Sequence, residues 1–253
     1  MDNNTLTLIK IGGAELADQP VLAELVDALV QLARQRTLII VHGGGPEIAQ
    51  LQKRLGLVPR FVEGLRVTDE ESLWVAEMVL SGAVNKRLTA RLVNKGIKAI
   101  GISGVDGGLL QAKKMAHPAG DLGYVGEITQ VNTSCLEDLL RGGFTPVISP
   151  ISLGENGRPY NVNADHAALA IAAALRVEEA IFLTDVPGVM HGGIVLEEIS
   201  AQRARHLIDT GHITGGMIPK VNSALDAIEG GVHSARITDL ASLVVGSGTR
   251  VVA

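Results

Sequence analysis

The functions open to this chain of 253 residues are narrowed first by what it lacks. It has one cysteine, Cys135, so no internal disulfide forms and no zinc site is built on thiolates. A single thiol also accords with a reducing compartment. Aromatic residues make up only 2% of the chain, too few for a platform on which single-stranded bases stack. Positive charge is not in excess, since 22 Lys and Arg face 27 Asp and Glu for a formal net charge of −5. That balance speaks against a nucleic-acid binder, which would carry a basic footprint. No apolar run approaches the roughly 20 residues that a membrane-spanning helix needs. The opening MDNNTLTLIKIGG has no basic segment followed by a long apolar one, so no secretory signal is read and a cytoplasmic protein is expected. No GxxxxGK[ST] loop occurs anywhere, and no GxSxG elbow. The seven histidines, His42, His117, His166, His191, His206, His212 and His233, show no metal-ligand spacing, and no metal held by protein side chains is expected.

What the chain has in quantity is glycine, 30 residues, many in pairs or triples. Clustered glycines allow tight turns and close approach of the backbone to a ligand. Short β-branched runs at 6–11, 38–42, 98–102, 146–149, 181–184 and 235–238 read as strands buried on both faces. Between them, amphipathic periodicity predicts helices at 21–34, 47–55, 70–80, 86–95, 134–141, 165–175 and 218–229. Such alternation specifies a mostly parallel sheet with helices on both faces. Two polar, glycine-containing stretches, 109–132 and 151–163, break the rhythm and read as antiparallel hairpins at one sheet edge.

In open α/β sheets ligands bind beyond the carboxyl ends of the strands, and five such ends carry unusual chemistry. Lys10 closes the first strand and is followed at once by Gly12 and Gly13. A compact cation there suits a phosphate, although a lysine snorkelling from the sheet edge gives the same pattern. The second strand runs into Gly43-Gly44-Gly45-Pro46, where Pro46 is expected at helix position N1 and free amides at the helix start can receive an anion. In Gly64-Leu65-Arg66-Val67-Thr68-Asp69-Glu70-Glu71, Thr68 and Glu71 read as a capping box. Arg66 either grips a carboxylate with its planar fork or pairs with a neighbouring acid such as Asp69. In Asn161-Val162-Asn163-Ala164-Asp165 the two amides share a side of an extended segment. Asp165 is an N-cap or, with them, holds a substrate. Last come Thr184-Asp185-Val186-Pro187-Gly188-Val189 and Thr214-Gly215-Gly216-Met217-Ile218-Pro219-Lys220. They read as an ordinary turn and a solvated helix lysine, or as a second cradle for a polyphosphate. The basic residues Lys86, Arg87, Arg91, Lys95 and Lys98 read as a solvated helix face.

Taken in order, KIGGAEL, VHGGGPEI, EGLRVTDEE, YNVNAD, LTDVPGV and GGMIPKV resemble the amino-acid kinase family from Leu6 to Val252. The resemblance implies an α/β fold, a three-layer αβα sandwich on a mainly parallel central sheet. Within that one continuous fold, 1–175 would form the acidic-substrate lobe with the dimer contacts and 176–253 the nucleotide lobe. It implies ATP with Mg2+ and transfer of a phosphoryl group to the γ-carboxylate of N-acetyl-L-glutamate, the second step of arginine biosynthesis. GLRVTD is the segment that favours this acceptor over aspartate, carbamate or a nucleoside monophosphate. By the same likeness Gly43, Gly44, Arg66 and Asn161 contact the acid, with Asn163 beside them. Gly12, Gly13, Asp185, Val186, Pro187, Gly188, Val189, Met190, His212, Ile213, Thr214, Gly215, Gly216 and Met217 surround ATP. Lys10 and Lys220 are implied to stabilise the migrating phosphoryl group, with Asp165 holding both lysines. A carboxylate nucleophile is already ionised at neutral pH, so no general base is required. Arginine-inhibited members of the family carry an extra N-terminal helix that joins dimers into hexamers. Here the first strand begins at Leu6, so the expected assembly is a homodimer insensitive to arginine. Two rivals stand beside this reading: a sister kinase for another blocked acidic amino acid, of aminoadipate type, and a catalytically inactive amino-acid sensor of the same fold.

Overall fold

Along a strand, successive side chains point to opposite faces of the sheet, and this alternation divides the core in two. In the computed structural model, Leu8, Val41, Phe182 and Ile237 lie in one buried cluster, whereas Ile9, Ile11, Ile40, Ile181 and Leu183 lie in the other. Each face of the sheet therefore has its own apolar layer of helices. Full burial of each such side chain stabilises by about 1.5–3 kcal/mol, so the central strands form the most firmly held part of the fold. The structure describes residues 5–62, 65–118 and 120–253; the side chains of Leu65 and Arg66 also lie outside the described set.

The chain runs through β1 (Leu6–Ile11), α1 (Ala14–Ala17), α2 (Gln19–Gln35), β2 (Thr37–His42) and α3 (Gly45–Arg54). A small hairpin follows, β3 (Arg60–Val62) with β4 (Leu65–Val67), then α4 (Glu70–Glu77) and α5 (Asn85–Asn94), joined by a π-helical stretch at Met78–Val84. Next come β5 (Ala99–Gly104), β6 (Leu110–Lys114), β7 (Gly126–Val131), α6 (Thr133–Arg141), β8 (Thr145–Gly154), β9 (Pro159–Asn161) and α7 (Ala164–Leu175). The rest comprises β10 (Glu179–Leu183), the hairpin β11 (Met190–His191) and β12 (Ile194–Val195), and β13 (Glu198–Ser200). It closes with α8 (Ala201–Asp209), α9 (Met217–Glu229), β14 (Ser234–Thr238), α10 (Leu240–Val244) and β15 (Thr249–Val252).

An 11-stranded sheet has the order β13-β15-β14-β10-β1-β2-β8-β6-β7, with β5 and β9 also paired to β8. The six expected strands form its parallel part: β1 lies between β2 and β10, β10 pairs β14, and β8 pairs β2 and β5. Both predicted hairpins are present, β6 against β7 and β8 against β9. Long β8 serves both regions, pairing β5 in register up to Ser149 and, past an irregularity, at Ser152, and pairing β9 from Ile151 to Leu153. Among the described residues no helix is long and apolar enough to cross a membrane.

The structure departs from the sequence reading in several places. The helices expected at 70–80 and 86–95 are one continuous helical run, because the π stretch carries the chain through Gly82 without a break. The capping box at Thr68 is displaced by one residue: Asp69 is the N-cap, its carboxylate accepting from Ser72 N–H at 2.8 Å. Pro46 stands one place further into its helix than N1, since Gly44 is the N-cap of α3. The basic face of α5 is not wholly solvated. Lys86 donates to the Gly101 carbonyl, and Arg87 forms a partly buried ion pair with Glu47. Helices α8 and α10 were not read from the sequence; each opens on a short polar cap, Ser200 or Asp239. The short run at 191–194 turns a hairpin, pairing β11 with β12. Gly192 and Gly193 both take positive φ, 59° and 80°, as a two-residue turn with the twist of its strands requires.

Candidate active site

Lys10 shares the face of β1 with Leu8 and is the last but one residue of that strand. Its side chain is 14% exposed and meets Asp165 in the first turn of α7, with Nζ to Oδ1 at 2.9 Å. Asp165 can do this because Asn163 caps the helix, its Oδ1 accepting from Asp165 N–H at 2.7 Å. The N-cap alternative for Asp165 is thereby excluded, and its carboxylate is free to turn toward the cation. Lys220, on α9, pairs instead with Asp185 just beyond β10. That hydrogen bond is the main reason the Asp185 carboxyl titrates below its ordinary value. In the structure Asp165 thus pairs with Lys10 and Asp185 with Lys220.

Two clefts meet at this corner. The first, about 360 Å³, is lined by Lys10, Gly12, Gly13, Gly43, Gly44, Gly45, Asn161, Asn163 and Asp165. The second, about 400 Å³, is lined by Lys10, Gly12, Gly13, Asp165, Thr184, Asp185, Gly216 and Lys220. Lys10, Gly12, Gly13 and Asp165 belong to both. At two of these glycines a side chain would meet close neighbours. A Cβ on Gly13 would stand 2.8 Å from Gly45 N and 2.9 Å from Gly44 Cα, and one on Gly44 would stand 2.7 Å from Leu80 Cδ2 in the π stretch. The two glycine loops therefore touch, and any side chain at the contact would separate them.

The amides of these loops are not all available. Gly43 N–H is spent on Ile11 O at 2.9 Å, continuing the ladder of β1 and β2. At the start of α9, the N–H groups of Met217 and Ile218 turn back to the carbonyls of Thr214 and Gly215. Neither α3 nor α9 has a side-chain cap at its N-terminus, so the helix dipole presents its positive end at each cleft.

Sequence reasoning missed the apolar wall of the first cleft: Ile48, Phe61, Leu80, Met115, Val125 and Pro150. Phe61, Leu80, Met115 and Val125 belong to edge hairpins, loops and the π stretch and carry no motif, while Ile48 lies on α3 at the end of VHGGGPEI and Pro150 lies within β8. Phe61, one of three phenylalanines in the chain, is 56% exposed over the opening. The β3–β4 hairpin is moored to the cleft through Thr68, whose Oγ1 accepts from Asn161 Nδ2 at 3.2 Å and whose carbonyl accepts from Tyr124 N–H. Arg66 pairs with Phe61 through the backbone of that hairpin, but its side chain lies outside the described residues. Of the residues implied for ATP, Gly12, Gly13, Asp185 and Gly216 line the second cleft. Val189 and Ile213 are buried in the core, and His212 packs against His191 with ring centroids 5.0 Å apart. Among the described residues no group of three or more His, Cys, Asp and Glu is placed to hold a metal ion.

A family model described as the amino acid kinase family matches residues 5–239. An acetylglutamate kinase of Roseiflexus sp. (strain RS-1) is 52% identical over 251 residues, covering 99% of this chain and 95% of that protein. An acetylglutamate kinase of Methanopyrus kandleri is 46% identical over 254 residues, covering 97% of this chain and all of its own length (100%). Among solved structures, the N-acetylglutamate synthase of Neisseria gonorrhoeae, complexed with coenzyme A and N-acetyl-glutamate, superposes with a TM-score of 0.85 at 28% identity. That match covers 98% of this chain and 59% of the synthase.

Proposed function

From the premise that the chain belongs to the amino acid kinase family, we propose that it transfers the γ-phosphoryl group of ATP to the γ-carboxylate of N-acetyl-L-glutamate, giving an acyl phosphate and ADP. The observation that carries this reading is the corner shared by the two clefts, where a lysine from the central strand stands between two ligand-sized spaces. The first cleft suits the acid. It offers amides from the glycine loop, the Asn161 side chain and an apolar wall for the methylene groups and the acetyl methyl. The second suits the nucleotide, with Lys220 and the start of α9 turned to the phosphates. In the reaction a carboxylate oxygen of the acceptor bonds to the γ-phosphorus, the bond to the bridging β-γ oxygen breaks, and ADP leaves with that electron pair. An acceptor carboxyl with a pKa near 4.3 is already ionised at neutral pH, so the obstacle is the repulsion of two anions rather than removal of a proton. Positioning and cationic stabilisation meet that obstacle. Lys10, oriented by Asp165, and Lys220 supply the charge.

Mg2+ belongs to the same proposal as a companion of the nucleotide. Among the described residues no group of carboxylates is placed to cage an ion, which suits an ion that arrives on the triphosphate oxygens and keeps much of its water. The assignment of 1–175 to the acid and 176–253 to the nucleotide is supported by the lining of the clefts, although β1 contributes to both. A homodimer belongs to the same proposal. A cytoplasmic setting is likewise retained as part of the proposal.

The deciding experiment measures ADP release with N-acetyl-L-glutamate, free glutamate, aspartate, carbamate and N-acetyl-aminoadipate as acceptors. Preference for N-acetyl-L-glutamate supports the proposal, and preference for another acceptor overturns the substrate. Binding of the acid without ADP formation would make the protein a sensor.

A further inference from the structure

His42 ends β2 and is fully buried beneath the glycine loop, and neither cleft includes it among its lining residues. Its ring joins a chain of hydrogen bonds that begins deep in the sheet. Asn85 Nδ2 stands 3.2 Å from Ile102 O and 2.9 Å from Val147 O. Carbonyl oxygens only accept, so the amide must present its nitrogen to them and its oxygen the other way. There Lys86 Nζ donates to Oδ1 at 3.1 Å. The same Nδ2, its two hydrogens directed to those carbonyls, stands 3.1 Å from His42 Nε2, and an N–H on Nε2 would face it without an acceptor. The imidazole proton accordingly sits on Nδ1, which donates to the carbonyl of Gly43 at 2.9 Å.

That carbonyl belongs to the Gly43–Gly44 peptide. None of the described peptide bonds is cis, and in a trans peptide the C=O and N–H point in opposite directions. Holding the Gly43 carbonyl back against the buried ring therefore turns the Gly44 N–H away from it, toward the cleft that Gly43, Gly44 and Gly45 line. Gly43 N–H is committed to the β1 ladder, and among the described residues Gly44 N–H has no partner. Without a tether, a glycine-rich loop has wide conformational freedom and this peptide would be able to flip.

We propose that His42, fixed as the Nδ1–H tautomer by Asn85, is a positioning residue that locks the Gly43–Gly44 peptide with the Gly44 N–H aimed at the transferring phosphoryl group. This rests on the phosphoryl-transfer reading above for what the amide does, but not for how the ring is held. The amide nitrogen of an asparagine falls close to the place of Nδ1, so His42→Asn retains the tether, whereas His42→Leu fills the space and removes it.

In steady-state kinetics with MgATP and N-acetyl-L-glutamate, His42→Leu is expected to lower kcat about 10- to 100-fold with little change in the KM for ATP, by the scale of a misaimed amide donor. His42→Asn is expected to recover most of that loss. Nitrogen-15 NMR of the wild-type protein should show Nδ1 protonated and Nε2 bare at neutral pH. A protonated Nε2, a kcat in His42→Leu equal to wild type, or an equal loss in both variants would each overturn the proposal. If the leucine variant does not fold, the asparagine variant and the wild-type tautomer still decide. If wild type makes no ADP with N-acetyl-L-glutamate, the functional reading fails, while the NMR result separately judges the tether.

Discussion

Replacing His42 by asparagine should change how the protein's stability responds to acid, and the size of the change follows from burial. With no exposure to water and a bare Nε2 facing an amide, the ring resists protonation, and its pKa falls from 6.5 to about 4. Desolvation is the largest cause; Arg87 and Lys86 of α5 push the same way, while the Gly43 carbonyl and Glu47 of α3 oppose it. The sign follows from proton counts. Between pH 6.5 and about 4 the unfolded chain binds a proton that the folded chain refuses, so stability rises with pH across that window and is lost as pH falls. The full gap is worth about 3 kcal/mol, of which about 2–3 kcal/mol should be gone by about pH 4.5. Other shifted groups act in both senses. Burial raises the Glu77 carboxyl above its ordinary value, which has the opposite sign, while Asp69 and Asp185 titrate below theirs. Both proteins share these groups, so the difference between them isolates the histidine. Urea unfolding of wild type and His42→Asn, measured at intervals from about pH 7 to about pH 4.5, should give curves that converge as pH falls. Parallel curves would show that His42 is not held neutral by the fold, and the tautomer argument would lose its support.

Other expectations test the rest of the site. Lys10→Ala and Lys220→Ala should each lower kcat by about 10²–10³ or more; near-normal turnover in either would contradict the charge-stabilisation mechanism. Gly13→Ala places a methyl within 2.9 Å of three atoms of the facing glycine loop. Its kcat/KM should fall at least about tenfold, and an unchanged value would show that the loops need not touch. Glu179 is buried between Arg36 and Arg236, so Glu179→Ala leaves two partly buried cations without their shared partner. It should cost about 2–4 kcal/mol of stability, read from the denaturation midpoint, with kcat little affected because the triad is remote from both clefts.

Much of this was legible in the sequence because the signals were local. The β-branched runs at 6–11 and 38–42 could hardly be anything but buried strands, and a lysine followed by glycines at such an end marks the meeting point of two clefts. The parts that stayed hidden depend on distant residues. Asn161 and Thr68 are 93 positions apart, and nothing in either motif announces their contact. Phe61, Met115 and Val125 belong to the site only because two edge hairpins fold over it. His42 shows no metal-ligand spacing in the sequence; its partner Asn85, and the carbonyls of Ile102 and Val147 that hold Asn85, come from three other elements. The displaced caps at Asp69 and Asn163 reflect the usual ambiguity when several capping residues stand in a row.

The strand that bears Lys10 is hydrogen-bonded on both sides, to β2 and to β10, and is walled by apolar layers above and below. A strand tied on both edges and covered on both faces has little freedom to move. If substrates bring about any closure, the motion must come from the outlying hairpins and the α9 region, which travel toward a stationary cation. The geometry of transfer is then set by a reference point that neither ligand can shift, and approach, rather than rearrangement of the centre, is the adjustable step.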